Sequence, residues 1–419
     1  MKKNETADLN EVHGKMKTTE CRNVTNSLNT LGNTKMPLLF EIWLFDPIQF
    51  GSARVWPKEK VIPWRLFSIF VSMQIEKRKK LLLVLLISGS VLTISMTFYF
   101  YQVFLSPNTL QDKKDPYLLK IPSGSVYTQV ADQLYEEKII NDALSFSFVA
   151  KLLGYQELVK PGLYQVEPNM SNLDLVRMLR AGNQVPVQVT FNTIRTKEEL
   201  AEKITANLEV SEEQLLELLQ DSAYIRSLDF KEETILSLFI PNTYEFWWNT
   251  SAEGVFERMN EEYQKFWTEE RKAKAAALGL SQKEVSTLAS IVQAESQKSD
   301  ERARIAGVYL NRLRTQMPLQ ADPTLVFALG DFTLKRVLNV HKEINSPYNT
   351  YLNQGLPPGP INLPDINSLD AVLNAETHEY LYFCAKEDFS GYHSFAVSYN
   401  EHLNNARRYQ QALNKANIY

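Results

Sequence analysis

Twenty-five consecutive residues without a charge, Leu81 to Leu105, constrain this chain more than any other feature. The run exceeds the roughly 20 residues that a helix needs to cross the hydrocarbon core of a bilayer. Lys77-Arg78-Lys79-Lys80 precede it directly, and Phe98, Tyr99, Phe100 and Tyr101 cluster near its far end, where an interfacial aromatic belt belongs. The pattern predicts one membrane-spanning helix, with the N-terminus in the cytoplasm and everything after Leu105 on the other side. A cleaved signal peptide is the competing reading, but the run is too long for its apolar core and no small-x-small cleavage pattern follows.

Ahead of the helix, residues 1–72 are polar and aperiodic at first, then mix aromatic residues with scattered prolines in no helical or strand period. They are expected to be either a cytoplasmic segment of unassigned fold or an over-extended start, because Met73-Gln-Ile-Glu and the basic cluster already read as the complete beginning of a signal anchor. The formal net charge of −4, without an extended basic run, gives no footprint for nucleic acid. The two cysteines, Cys21 and Cys384, are expected on opposite sides of the membrane, which leaves no disulfide framework. Cys384, in the run Tyr380 to Ala385, reads as a buried strand residue. Five histidines (His13, His341, His378, His393, His402) form no HExxH pair and no Cys/His cluster, so neither a metal nor a cofactor is expected.

Beyond Leu105 the signals are those of an α+β chain. A short polar linker, Ser106 to Asp115, leads to a turn at Ile121 to Ser125 and an amphipathic helix over Val126 to Lys138. A second helix, Ser145 to Leu153, stops at Gly154; a strand follows Lys160-Pro-Gly162, and a helix over Asn172 to Arg180 is closed by Gly182. Val185 to Phe191 alternates as a strand. Charged helices, among them Thr196 to Leu208 and Ser211 to Leu219, then surround the aromatic segment Phe239 to Phe246. The resulting boundaries are a signal-anchor helix at 73–105, a linker and small module at 106–191, a helical intermediate region at 192–275 and a larger domain at 276–419.

In the larger domain Ser281-Gln-Lys-Glu284 has the form of a capping box, and the helix it opens carries Val285, Leu288, Ile291 and Val292 on one stripe. Glu295 falls on the same stripe, four residues after Ile291 and three after Val292, so its carboxyl projects from the inward face. Such a group is costly unless paired or protonated. It can be one half of a buried ion pair or a helix end; alternatively, desolvation raises its pKa and keeps a proton available for a leaving oxygen near neutral pH.

Leu288-Ala-Ser-Ile-Val-Gln-Ala-Glu-Ser296 resembles the "LASIVExE(T/S)" signature of the MltG (YceG-like) family, whose final Glu is the catalytic residue and maps onto Glu295. Gln293 stands where that family usually has another Glu. Further blocks follow in family order: Val308 to Leu313, Leu319 to Thr324, Ser346 to Tyr351, Gly355 to Asn362 and Tyr380 to Phe383. The segment around Pro241, Thr243 and Tyr244 is similar to the family's "EGxxFPDTYxF", although Leu236-Ser237 replace the Glu-Gly. The module at 106–191 resembles that family's LysM-like, glycan-binding module through Ile121 to Gly124, Lys160 to Tyr164 and Leu173 to Gly182; a spacer role is the alternative.

The resemblance implies a single membrane helix, a LysM-like α+β module and a larger α+β YceG-like catalytic domain. The implied activity is endolytic cleavage of peptidoglycan between N-acetylmuramic acid and N-acetylglucosamine. One acid, no cofactor and no metal are needed, the products end in 1,6-anhydro-N-acetylmuramic acid, and glycan strand length is limited beside cell-wall synthases. Candidate substrate contacts are Asn311, Arg312, Gln320, Asp322, Ser346, Tyr348, Asn349, Tyr351 and His402, with His393 near the same closing segment. Asp322 also reads as the N-cap of a helix with Pro323 at N1 and Gly330 after its end. Asn311 and Arg312 also read as surface residues, and the 346–351 group as a capped turn. The stretch from Gly355 to Ile361, stiffened by three prolines, is expected to form a cleft wall. A hydrolytic muramidase and a non-catalytic glycan-binding scaffold are the rival readings. No second carboxylate is evident beside the Glu295 motif, which favours an internal nucleophile over the two-carboxylate chemistry of hydrolases.

Overall fold

The computed structural model describes residues 64–110, 114–334 and 336–416; the expectations for residues 1–63, with His13 and Cys21 among them, lie outside the described residues. The chain divides into two units, Met1–Leu83 and Val84–Tyr419. The described part of the first is helical and begins α1 (Trp64–Phe100), with Glu76 and Lys80 paired one turn apart at 3.7 Å. The second opens with the remainder of α1, prolonged by a π-helical turn at Tyr101–Leu105. Gln74–Leu105 is long and apolar enough to cross a membrane. Its Leu, Ile, Val and Phe side chains up to Phe100 are exposed.

The first core of the second unit is built from β1 (Tyr117–Ile121), α2 (Tyr127–Glu136), α3 (Ala143–Leu152), β2 (Gly162–Val166) and α4 (Asn172–Ala181). β1 and β2 pair antiparallel, Tyr117 opposite Val166 and Ile121 opposite Gly162. Strand alternation sends Leu119 and Ile121 inward against Leu134, Phe146, Tyr164 and Leu175. Asp142 caps α3 through the Leu144 and Ser145 amides, and Ser171 caps α4 through Asp174. Gly182 ends α4 at φ +77°, a left-handed position that a side chain would strain. The segment after Leu105 is no free linker. Asn108, Thr109 and Leu110 are buried, Asn108 donates to Asn172 Oδ1 at 2.7 Å, and Thr109 Oγ1 binds both the Glu167 carbonyl and the Met170 amide. Polar residues were the reason to expect a linker; here their polarity meets buried backbone groups.

A second core runs from β3 (Val187–Phe191) through α5 (Lys197–Thr205), α6 (Glu212–Gln220), α7 (Ser222–Ser227), β4 (Asn242–Phe246), α8 (Ala252–Phe266), α9 (Glu269–Ala277), α10 (Gln282–Glu295) and α11 (Arg302–Arg314). It continues with α12 (Asp322–Leu329), α13 (Ile366–Leu373), β5 (Tyr382–Ala385), β6 (His393–Ala396) and α14 (Tyr399–Lys415). β3 pairs antiparallel with β4, Val187 opposite Phe246, so the strand that closes the small module in sequence joins the aromatic segment in space. One continuous apolar cluster, Val189 to Leu373, links the helices on either side of residue 275.

α10 lies at the centre of that cluster. The predicted capping box is present, with Ser281 accepting from the Glu284 amide and Glu284 from the Ser281 amide. Val285, Leu288, Ile291 and Val292 are fully buried, each contributing roughly 1.5–3 kcal/mol relative to exposure. Gln293 ties the end of α10 to the chain ahead of α13: its Oε1 accepts from the Asp365 amide at 2.6 Å and Ser368 Oγ at 3.2 Å, while Nε2 donates to the Leu363 carbonyl. An amide offers both donor and acceptor here; a carboxylate would only accept. Gly307 of α11 permits another close approach, because a Cβ there would come within 2.4 Å of the Glu376 carbonyl oxygen.

Candidate active site

Glu295 is the last residue of α10, and its carboxyl forms part of a cleft of about 340 Å³. The residue keeps some exposure to the cleft, yet protein atoms surround the carboxyl group. Desolvation therefore pushes its pKa up from 4.5 to about 7; the nearby Asp322 charge adds to the rise, while the Tyr309 hydrogen bond and the Arg312 cation oppose it. The negative end of the α10 dipole acts in the same sense as burial.

Tyr309 and Arg312 stand one turn apart on α11 and so face the cleft together. Tyr309 Oη donates to Glu295 Oε1 at 2.8 Å. That leaves the other carboxyl oxygen to carry a proton. Arg312 is fixed from two sides, Nε donating to the Leu381 carbonyl at 2.7 Å and Nη1 to the Leu319 carbonyl at 2.6 Å, with its guanidinium 5.6 Å from the Tyr382 ring centre. Burial pulls its pKa down from the ordinary arginine value.

The next wall is the turn into α12. Ala321, not Asp322, occupies the N-cap position, so the expected capping role of Asp322 is corrected: Asp322 is the first helical residue, Pro323 follows it, and its carboxylate accepts from Tyr351 Oη at 2.5 Å. A side chain at the first helical position points away from the amides that an N-cap would reach. Gln320 just before it has φ +48°, a strained left-handed backbone for a residue with a side chain. Thr350 holds this turn in place, its carbonyl accepting from the Gln320 amide and its Oγ1 from the Ala321 amide.

β5, β6 and the start of α14 complete the cleft with Tyr382, Phe383, Cys384, His393, Tyr399 and His402. His402 stacks on Tyr382, ring centres 5.4 Å apart, and burial lowers its pKa, which favours neutral imidazole. Its Nδ1 is buried without a hydrogen-bond partner among the described residues. His393 Nδ1 lies 2.7 Å from the buried Glu301, whose other oxygen accepts the His393 amide. Cys384 is half-buried and beside the cleft, a correction to its reading as a buried strand residue: every residue of β5 is only partly buried, so the ribbon edges the site and does not cross a core.

Of the expected contacts, the structure brings Glu295, Arg312, Gln320, Asp322, Tyr351 and His402 together. Asn311, Ser346, Tyr348 and Asn349 are elsewhere. Asn311 Nδ2 donates to the His378 and Tyr380 carbonyls. Asn349 is fully buried, donating to the Lys342 and Ile344 carbonyls and accepting from the Tyr351 and Leu352 amides. Ser346 accepts from the Tyr348 amide, and Tyr348 packs on Phe327 with ring centres 4.7 Å apart. The proline-stiffened stretch lies against Glu233 rather than along this cleft, with Gly359 so close that a Cβ would meet the Glu233 carbonyl. Its residues line a larger groove of about 1010 Å³ with Phe230, Lys283 and Arg314, which shares no residue with the Glu295 cleft. Among the described residues no group of His, Cys, Asp and Glu is arranged to hold a metal ion.

The pattern of the YceG-like family matches residues 119–408. The chain belongs to the YceG-like family. The endolytic murein transglycosylase of Bacillus subtilis is 29% identical over 342 residues, covering 77% of this chain and 93% of that protein. The Streptococcus pneumoniae protein of the same name is 29% identical over 298 residues, 63% of this chain and 53% of that one. A crystal structure of a YceG-like protein from Listeria monocytogenes covers 70% of this chain at 29% identity, with a TM-score of 0.46. Within the YceG-like match, the cleft residues that sequence reasoning passed over are mainly aromatic. Tyr309 reads as one more member of an apolar stripe; only its hydroxyl, three residues before Arg312, hints at a polar face. Tyr382 falls in the Tyr380–Phe383 block of the family resemblance without being singled out, and Tyr399 carries no comparable signal.

Proposed function

We propose that this chain is an endolytic murein transglycosylase in which Glu295 acts first as acid and then as base. The observation that carries the catalytic assignment is the Glu295 carboxyl lining a cleft of aromatic and polar groups, with one oxygen held by Tyr309 Oη at 2.8 Å and burial pushing its pKa up to about 7. The murein transglycosylase names of its relatives support the same activity. A non-catalytic scaffold has no use for such a group, whose ionisation the fold opposes.

Protonated Glu295 gives its proton to the glycosidic oxygen as the bond from C1 of N-acetylmuramic acid breaks, and the N-acetyl group shields the positive carbon. The Glu295 carboxylate then accepts the proton of the sugar's 6-hydroxyl while O6 closes on C1, which forms the 1,6-anhydro ring and restores the acid. Water is not consumed. Intramolecular attack has the advantage of proximity, worth effective molarities of about 10⁵ M or more for well-oriented groups. Arg312, Gln320, Tyr351 and His402 are assigned to sugar binding: guanidinium, amide, hydroxyl and imidazole groups meet sugar hydroxyls and N-acetyl groups. Asp322, hydrogen-bonded to Tyr351, is assigned to holding the Glu295 proton by its charge.

The same proposal puts the N-terminus and the Lys77–Lys80 cluster in the cytoplasm and the cleft on the other side of the membrane, where peptidoglycan is. Glycan binding by the 106–191 module and work beside cell-wall synthases belong to it as well. Digestion of purified peptidoglycan in ¹⁸O-labelled water tests the chemistry. Unlabelled 1,6-anhydro-N-acetylmuramic ends are expected. Labelled reducing ends as the main product would refute the assignment and favour a hydrolytic muramidase.

A further inference from the structure

α3 presents apolar residues on both faces. Phe146, Val149 and Ala150 fill the small core, while Leu144, Phe148 and Leu152 are 84%, 48% and 62% exposed. These three follow each other at intervals of four, so they form a single stripe along the outer face. A surface helix of a water-soluble module ordinarily carries polar residues there; beside this stripe stand the partly exposed Ser145 and Ser147 and the exposed Lys151, whose long stem can lie along an apolar surface with its charge in water.

The stripe is continuous with the membrane-spanning element. Phe100 and Phe104 stack with ring centres 5.6 Å apart, and Phe104 meets Phe148 edge-on at 6.1 Å, so one aromatic row passes from α1 into α3. The junction is pinned. Val103 is buried against the module, and Asn172 Nδ2 donates both to the Val103 carbonyl and to Ser145 Oγ of α3, at 2.9 Å each. Asn108, whose amide holds Asn172 Oδ1, also receives the Asp142 amide at the α3 cap.

We propose that α3 lies in the headgroup layer of the same membrane that α1 spans, with Leu144, Phe148 and Leu152 turned towards the acyl chains. At ten residues, about 15 Å, it is too short to cross a bilayer, and its amphipathic partner surface is therefore lipid in the plane of the interface. The module is thus seated on the bilayer at a fixed height and does not hang from a tether. This rests on α1 being a membrane span.

The test uses the full chain in phospholipid nanodiscs, with Cys21 and Cys384 replaced by Ser and a nitroxide placed in turn at Leu144→Cys, Leu152→Cys, Leu92→Cys and Val340→Cys. Val340, 66% exposed in the larger core region, reports an apolar surface position outside the stripe. Relaxation by oxygen, which concentrates in lipid, is compared with relaxation by a water-soluble nickel chelate. Labels at Leu144 and Leu152 are expected to share the lipid signature of Leu92, with an oxygen-to-nickel ratio several-fold above that of Val340. If either α3 label matches Val340 while Leu92 reports lipid, the seated helix is wrong and the membrane span stands. If Leu92 also reports water, both fall.

Discussion

Replacing Glu295 with Gln should abolish cleavage and at the same time stabilise the protein at alkaline pH. The carboxyl is raised from 4.5 to about 7, so the fold holds it neutral. Folding therefore takes up protons between those values, and the wild-type protein loses stability as pH rises through that window. The full difference is worth roughly 3 kcal/mol, of which 2–3 kcal/mol is lost between pH 5 and pH 8. Gln has nearly the same shape, still accepts the Tyr309 hydrogen bond and never ionises. Thermal unfolding of both proteins in the same detergent at pH 5 and pH 8 isolates this group, since every other titration cancels in the difference. The Gln variant should gain about 5–10 °C relative to wild type on going from pH 5 to pH 8, at 2–4 °C per kcal/mol for a domain of this size. Its activity should fall by roughly 10² to 10⁴ or more, the usual value of general acid and base catalysis. An unchanged gap in melting temperature would refute the raised pKa, and more than about a tenth of wild-type activity would place the acid elsewhere.

Asp322→Asn removes a neighbouring negative charge, so Glu295 should ionise more readily and the falling alkaline limb of the rate profile should move to lower pH, by about one unit or less. Tyr309→Phe removes the hydrogen bond that favours the carboxylate and should move the same limb upward by about one unit; pH–rate profiles of the two variants shifting in the same direction would contradict this electrostatic account. Gln320→Gly relieves a left-handed backbone and should raise stability by about 1 kcal/mol in denaturant unfolding, while KM rises because a cleft amide is lost.

The sequence disclosed the parts of the fold that depend on local chemistry. Apolar spacing and the Ser281–Glu284 pair define α10, Gly182 and Gly330 stop their helices in left-handed conformations, and uncharged length marks the long apolar helix α1. Periodicity puts Glu295 on the inward stripe of α10, but it leaves ion pair, helix end and acid open; the resemblance of Leu288 to Ser296 to the family signature is what singles it out. What was illegible depends on long-range closure. The polar groups of Asn311 and Asn349 could equally meet sugar or backbone, and only the folded chain shows them turned to carbonyls at His378, Tyr380, Lys342 and Ile344. Asp322-Pro323 has the composition of a cap, but the strained turn at Gln320, held by Thr350 some thirty residues away, advances the helix start by one position and directs the carboxylate to Tyr351. The polar stretch after Leu105 misled for a related reason. Asn108 and Thr109 look like linker residues until their partners near Asn172 are known.

Under the proposed mechanism, the opposing influences on Glu295 let one carboxyl serve both halves of a transglycosylation. Burial, the Asp322 charge and the end of α10 favour the neutral acid; Tyr309 and Arg312 favour the carboxylate. Burial without the second group would give a strong hold on the proton and a carboxyl unwilling to release it. The second group without burial would leave a carboxylate with no proton to give. Near pH 7 the balance populates both forms, which is the condition for a group that must donate in one step and accept in the next. The balance is geometrically stiff because Tyr309 and Arg312 are fixed one turn apart on α11, with Arg312 bonded to carbonyls on both sides and Gly307 letting that helix close against the Glu376 carbonyl. Substrate entry changes it in one direction. A sugar that fills the cleft excludes water and removes further solvation from Glu295, which raises its hold on the proton at the moment when the glycosidic oxygen is in place to receive it.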